Sequence, residues 1–323
     1  MPAEVLGASA RPPAGLRGSA GMAGRFEFSD GMLCFEPRFS FAAGLAYAVI
    51  DRCAPGTEPA ATVVRPAGAA LPSARVVEIY PSTSTVPLNL LRLYVHFSAP
   101  MSEGLAAQAV RVIDAGTGEP LADALLPMPP ELWDRRHTRL TVLLDPGRIK
   151  RGLVPHTEAG YPLVDGMHVA ITIDDTFLDA DANPLAAAGR RDYRVVAAER
   201  RHVQPGHWTY RWPRARTRDP VTIDFDRPLD HALALRCLHI TDPAAAIVAG
   251  TTSLDRGDTR WRFEPARDWL PAAYTLTIEP ILEDPAGNSI TRVFDRDLTR
   301  PDDDSLDAAP VTISFDCAEP SSQ

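Results

Sequence analysis

Apolar and polar residues alternate with a period of two through much of this chain. In LLRLYVHFSAPMS, Leu91, Leu93, Val95 and Phe97 fall on one face and Arg92, Tyr94 and His96 on the other. That is the pattern of a strand with one buried face. RVVEIY, RLTVLLDP, MHVAITIDD and DYRVVAA read the same way before residue 200, and VTIDFDRP, CLHITDPAAAIVAG, TRWRFEP, YTLTIEPIL and TRVFDRDL after it. RFEFSDGMLCFEP sets two alternating runs around Asp30-Gly31, which predicts a hairpin with a two-residue turn. Helix-period stretches are short, and SEGLAAQAV (102–110) predicts one turn of helix between strands. Phe97, Phe225, Trp261, Leu276 and Ile278 occupy inward strand positions and are expected in a core.

Two of these stretches recur in the same order. LYVHFSAPMS (93–102) matches VTIDFDRPLD (221–230) without a gap, and ITIDDTFLDADANPL (171–185) matches LTIEPILEDPAGNSI (276–290). Ordered recurrence implies two copies of one structural unit. Short strands about ten residues apart, punctuated by 31 prolines, predict antiparallel β-sandwiches rather than helices. The expected division is 1–24 as a disordered or leader remnant, 25–54 as a partial repeat, 55–74 as a linker, 75–198 and 205–300 as the full copies, and 301–323 as a tail with a candidate final strand at 311–316. The partial repeat rests on CFEPRFSFAAGLAYAVI (34–50) against RFEPARDWLPAAYTLTI (262–278). It lacks a counterpart of the HFSAPM strand, so the sequence is expected to start inside a repeat.

F-S-A-P-M (97–101), F-D-R-P-L (225–229) and E-D-P-A-G-N (283–288) resemble the bacterial immunoglobulin-like domain of the S-layer (SbsA-like) type, over about 75–197 and 205–300. The resemblance implies an all-β fold of tandem immunoglobulin-like antiparallel β-sandwiches. It also implies a non-catalytic structural, adhesion or spacer role, an extracytoplasmic place in the cell envelope, and envelope polysaccharide or a neighbouring envelope protein as partner. Its motifs are structural and bring no catalytic residue. In the last of them Gly287 is expected at positive φ, with Asp284 and Asn288 bonding their own backbone. The first copy keeps Asp179 and Asn183 but has Ala182 in place of glycine, which predicts a looser or differently shaped turn.

A net charge of -9 argues against a general nucleic-acid binder, which should carry a basic face. No run of eighteen apolar residues encodes a transmembrane helix, and the first residues show neither the basic nor the apolar region of a signal peptide. Four cysteines lack metal-site spacing, and Cys34–Cys53 is the bridge to consider in an exported chain. G-x-S-x-G, H-E-x-x-H, P-loop and G-x-G-x-x-G motifs are all missing. A hydrolase would therefore need an acid pair assembled by the fold. No cofactor is expected. The acidic run 174–183 suggests calcium, but a loop starting at Asp179 puts Pro184 and Arg190 where glycine and a carboxylate are required, leaving partial coordination as a minor reading.

The first copy is the longer one, and its insertion at 131–166 is where function would be grafted onto a plain sandwich. It carries Arg135, Arg136, Arg148, Lys150, Arg151 and His156, a set suited to an anionic glycan through paired guanidinium contacts. The competing reading is a solvated loop whose arginines pair with Asp134, Asp145 and Glu158. HVQPGHWTYRW (202–212) is a sugar-stacking platform in one reading and buried glue between sandwiches in the favoured one.

Overall fold

Strands carry nearly all the regular structure of the computed structural model, which describes residues 6–10, 22–29, 31–38, 41, 45–51, 61–66, 73–296 and 309–318. The chain divides into two units, the first Met1–Ile79, Tyr94–Val142 and Ala170–Asp192, the second Tyr80–Leu93, Leu143–Val169 and Tyr193–Gln323. The early strands are β1 (Leu6–Ala10), β2 (Gly24–Ser29), β3 (Met32–Pro37), β4 (Ala46–Asp51) and β5 (Ala61–Val64). β2 and β3 form the expected hairpin, with Ser29 opposite Met32 and Gly31 at φ 77. β1, β4 and β5 form a separate sheet with β4 in the middle.

Then follow β6 (Val76–Tyr80), β7 (Thr85–Pro87), β8 (Arg92–Phe97), α1 (Ala106–Ala109), β9 (Val110–Asp114), β10 (Leu132–Trp133), β11 (Arg139–Leu143), α2 (Pro146–Ile149), α3 (Val154–Ala159), β12 (His168–Ile173) and β13 (Gly189–Val196). They make two sheets, ordered β10-β11-β8-β6 and β7-β13-β12-β9. The last group is β14 (Thr209–Arg211), β15 (Val221–Asp224), α4 (His231–Ala234), β16 (Leu238–Thr241), β17 (Gly250–Asp255), β18 (Arg260–Pro265), β19 (Ala273–Ile278) and β20 (Val311–Asp316). Its sheets are β14-β15-β18-β17 and β16-β19-β20.

Lettered A to G in chain order, that last group reads A-B-E-D on one sheet and C-F-G on the other, the strand order of an immunoglobulin constant-type sandwich. The preceding group reads D-E-B-A and A′-G-F-C, with its first strand divided between the sheets. The chain is therefore all-β and immunoglobulin-like. The recurring sequences fall on the same letters, β8 and β15 on B, β12 and β19 on F.

Period-two burial holds the second sandwich together. Val221 and Ile223 of β15, Trp261 and Phe263 of β18, Leu238 and Ile240 of β16, Leu276 and Ile278 of β19 and Phe315 of β20 converge in one core. Trp208 lies in that same core, and Tyr210 and Trp212 pack against it, so the aromatic run serves its own sandwich. In the first unit Phe97 meets Trp133 and Phe177 at ring distances of 5.8 and 5.6 Å. All five residues expected in the core are buried.

Four expectations need correction. Leu6–Ala10, expected to be disordered, is a strand, because its backbone pairs with β4 and a ladder needs no apolar side chains. Ala61–Val64, within the expected linker, pairs with the other edge of β4. TRVFDRDL is irregular over 291–296, and the seventh strand of the second sandwich is β20, along β19. The turn at Ala182 is not looser. Asp179 Oδ1 accepts from the Asp181 and Asn183 N–H groups, both at 2.9 Å, as Asp284 Oδ1 does from Ala286 and Asn288 at 3.0 Å. Ala182 takes φ 64 where Gly287 takes 81, so the carboxylate dictates the turn and the alanine accepts the strain. The contact of Ala182 with buried Tyr47 offsets part of that cost. Asp179→Ala should lower stability by about 1–3 kcal/mol, the cost of buried donors left without an acceptor, read from denaturant midpoints.

Candidate functional site

The insertion is organised by its own backbone. Asp145 caps α2 by accepting from Gly147 N–H at 2.8 Å, with Pro146 opening the helix. The Arg148 guanidinium donates to the carbonyls of Ala159, Gly160 and Tyr161 at 3.3, 3.1 and 3.0 Å, satisfying acceptors that the end of α3 leaves open. His156 Nδ1 lies 2.6 Å from the Arg148 carbonyl, and its ring meets Tyr161 edge-on. Lys150 sets its ammonium 4.4 Å from the Phe294 ring centre. Partial burial, then the charges of Arg292 and Arg296, press its pKa below the usual lysine range.

The centre of this arrangement is Asp295, which is fully buried. Arg151 Nε and Arg200 Nε reach its two carboxylate oxygens at 3.2 and 2.8 Å. Tyr161 donates to it at 2.8 Å and Asn89 at 3.2 Å, while Arg200 also donates to the Tyr161 hydroxyl at 2.7 Å. Burial raises the Tyr161 pKa. A buried charge persists only when paired and hydrogen-bonded in this way.

Arg148, Lys150, Arg151 and His156 thus lie together in the second unit, and each has an internal use. Arg148 reaches main-chain carbonyls and Arg151 reaches Asp295, contacts other than the pairing with Asp134, Asp145 and Glu158 that the competing reading expects. Arg135 and Arg136 belong to the first unit and are exposed. Beside them Asp134 accepts from the Thr138 and Arg139 N–H groups at 2.8 and 3.0 Å. Trp133 stacks on buried His137 at 4.9 Å, whose Nδ1 lies 2.9 Å from the Met101 carbonyl. Burial holds the His137 pKa down to about 4. Glu103 is pushed up to about 7 by burial and then by the charge of Glu131, itself raised by burial. Glu131 gives its oxygens to the Ala106 N–H at 2.6 Å and the Trp133 indole N–H at 2.7 Å, a use that holds the loop in place.

A second ionic cluster lies beside the Asp284 turn. Arg227 is buried, and it reaches Asp284 Oδ2 at 3.1 Å and the carbonyls of Arg201 and His202 at 2.7 and 3.0 Å. Burial outweighs Arg227 and raises the Asp284 pKa to about 6. Pro81, Pro228 and Pro285, with Arg227 and Asp284, line a cavity of about 130 Å³ there. The residues that sequence reasoning passed over are Asn89, Tyr161, Arg200 and Asp295. Their separations of up to 206 residues leave no local signal. Arg227 stands in the F-D-R-P-L motif, where the other copy has Ala99, so that difference was a usable cue.

Among the described residues no group of three or more His, Cys, Asp or Glu side chains is placed to hold a metal ion, and no helix is long and apolar enough to cross a membrane. Cys34 is an exposed free thiol, and Cys53 lies outside the described residues.

The strand orders define an immunoglobulin-like β-sandwich protein. No family model and no curated protein matches the chain. Among solved structures, native α2-macroglobulin from Escherichia coli, domains MG0-NIE-MG1, is similar over 64% of this chain and 66% of that one, at 11% identity and a TM-score of 0.25. Surface layer protein SbsC, domains 1–6, is similar over 64% of this chain and only 24% of that one, at 13% identity and a TM-score of 0.28. The insect immune protein hemolin is similar over 85% and 64%, at 8% identity and a TM-score of 0.20. Likenesses this remote carry no functional argument, and the fold class rests on the strand orders.

Proposed function

We propose that this is a tandem bacterial immunoglobulin-like protein of the S-layer (SbsA-like) type, serving as a non-catalytic structural, adhesion or spacer module of the cell envelope. The observation that carries the reading is the recurrence of one strand order in consecutive stretches of chain, each closed by the same Asp-centred turn. Several of the charged side chains that could have formed a site are spent on that architecture, Arg135 and Arg136 being exposed. Arg148 caps α3, Arg151 and Arg200 neutralise Asp295, and Arg227 neutralises Asp284. Immunoglobulin-like sandwiches present loops between their strands, which suits an adhesion or spacer role.

The test is protease shaving of intact producing cells, followed by fractionation with antibody detection. Digestion of the protein on intact cells, with none in the cytosol, is the expected result. Recovery of protected protein from the cytosol would overturn the envelope reading. An anionic glycan-binding role for Arg135, Arg136, Arg148, Lys150, Arg151 and His156 predicts salt-sensitive retention on an acidic-glycan column. The internal contacts of Arg148 and Arg151 favour the spacer reading instead.

A further inference from the structure

Glu103 stands on the loop between β8 and α1, which is braced against the Asp179 turn. Met101 bridges Asp179, Ala180 N–H donates to the Pro100 carbonyl at 2.8 Å, and Ser102 N–H donates to that of Leu178 at 3.1 Å. Residues ahead of the first sandwich meet both parts of this surface. Tyr47, with Met22, Phe41 and Leu45 around it, packs on Ala182. Ala23, next after Met22, reaches the loop, and its N–H is hydrogen-bonded to the Glu103 carboxylate. The Ala23 carbonyl accepts from Arg38 N–H at 2.9 Å, one step beyond the pairing of Gly24 with Pro37. The base of the β2–β3 hairpin is thus held by an apolar contact and a carboxylate.

That carboxylate is badly placed to be an anion. Among the described residues Glu103 Oε2 is buried and makes no hydrogen bond, a costly state for a charged oxygen. Glu131 faces it from the residue before β10, and the Glu131 oxygens are already taken by Ala106 N–H and the Trp133 indole. Arg38 faces Glu103 from the end of β3, but its side chain is exposed and its field is weakened by water. The Arg38 charge also faces His137, which Asp134 faces from the same turn.

The second sandwich has a counterpart of this place. LYVHFSAPMS is followed by Glu103 and VTIDFDRPLD by His231. His231 stacks on Tyr80 at a ring distance of 3.5 Å and lies 2.9 Å from Asp258, whose other oxygen accepts from Ser82 N–H at 2.6 Å. In each copy a backbone N–H from earlier in the chain ends on a carboxylate. Beside Asp258 the neighbour is an imidazole, and beside Glu103 it is a second carboxylate.

We propose that Glu103 is a pH-sensitive latch, which holds the β2–β3 hairpin on the first sandwich while its carboxyl is neutral and releases it on ionising beside Glu131. Burial, then the charge of Glu131, raise the Glu103 pKa from 4.5 to about 7. Release returns the side chain to water and to its ordinary value. A group whose pKa is raised in the docked state contributes stability that is full below the undocked value and is lost as pH rises through the docked one. Docking is therefore tightest in acid, falls by up to about tenfold per pH unit between about pH 5 and 7, and levels off above that. The latch goes beyond the envelope reading and does not depend on it.

Amide hydrogen exchange of the full-length protein, expressed at each pH as protection relative to an unstructured chain, reads the latch directly. The Ala23 and Arg38 amides should lose at least about tenfold of their protection between pH 5 and pH 8. The Phe97 amide, bonded to the Thr138 carbonyl inside the sandwich, should change far less. Glu103→Gln keeps an acceptor oxygen and cannot ionise, so it should show the high protection at both pH values. Glu103→Ala should show the low protection at both. Constant protection of Ala23 and Arg38 in the unaltered protein would overturn the latch, whether or not the variants fold. So would a tenfold loss that persists in Glu103→Gln. A loss shared equally by Phe97 would overturn it as well, by placing the change in the whole sandwich.

Discussion

Gly287→Val should destabilise the second sandwich by about 2–5 kcal/mol, seen as a lower denaturant midpoint with an unchanged slope. Two costs combine. Gly287 sits at φ 81, where a β-branched residue pays about 1–3 kcal/mol in backbone strain. A Cβ there would also lie 2.5 Å from Leu91 Cδ2 and 3.2 Å from Phe294 Cβ, and overpacking of this kind costs about 1–3 kcal/mol. The turn cannot relax to relieve either, because Asp284 Oδ1 holds two of its N–H groups and Asn288 Oδ1 holds that of Phe294. A melting curve that coincides with that of the parent would show that the turn is not part of the cooperative unit.

Arg227→Met should cost about 3–5 kcal/mol at pH 8, the usual result of stranding one member of a buried ion pair. Methionine fills the space of the stem but leaves Asp284 without its cation and the Arg201 and His202 carbonyls without a donor. The loss should shrink on acidification. The folded-state pKa of Asp284 is raised to about 6, from 3.8. Its contribution to stability is therefore full below the unfolded value and lost as pH rises through the folded one. Without Arg227 the folded value climbs further, so the carboxyl takes up a proton at a higher pH and the penalty falls between pH 8 and pH 5. Urea midpoints of parent and variant at both pH values check this. An equal difference at both would mean that Asp284 stays charged without its partner.

What could be read from the sequence was what short-range periodicity encodes. Strands B and F were legible because their inward residues, from Leu91 to Phe97 and from Leu276 to Ile278, alternate with polar ones. The Asp284 turn was legible because Asp, Gly and Asn each have one local reason to stand there. Leu6–Ala10 was not, since its place is decided by the backbone of β4. The Ala182 turn was misjudged by attending to the missing glycine when the capping carboxylate of Asp179 sets the geometry. The insertion was correctly seen as rich in arginine, but which oxygens those guanidinium groups would reach depended on Asp295 and on the carbonyls at the end of α3. Such partners are assembled only by the tertiary fold.

The seat of Lys150 above Phe294 has a practical consequence, because it is the only lysine in the sequence. Acylating reagents distinguish amines by how readily they shed a proton, and partial burial, then the charges of Arg292 and Arg296, make this one shed it more easily than an ordinary surface lysine. With the terminal α-amine blocked, a limiting amount of reagent at mildly alkaline pH should therefore modify a single side chain, next to the loop that carries Asp295. A dye placed there would report local opening of that loop without any engineered residue. The arginines that pair with Asp284 and Asp295 would remain untouched.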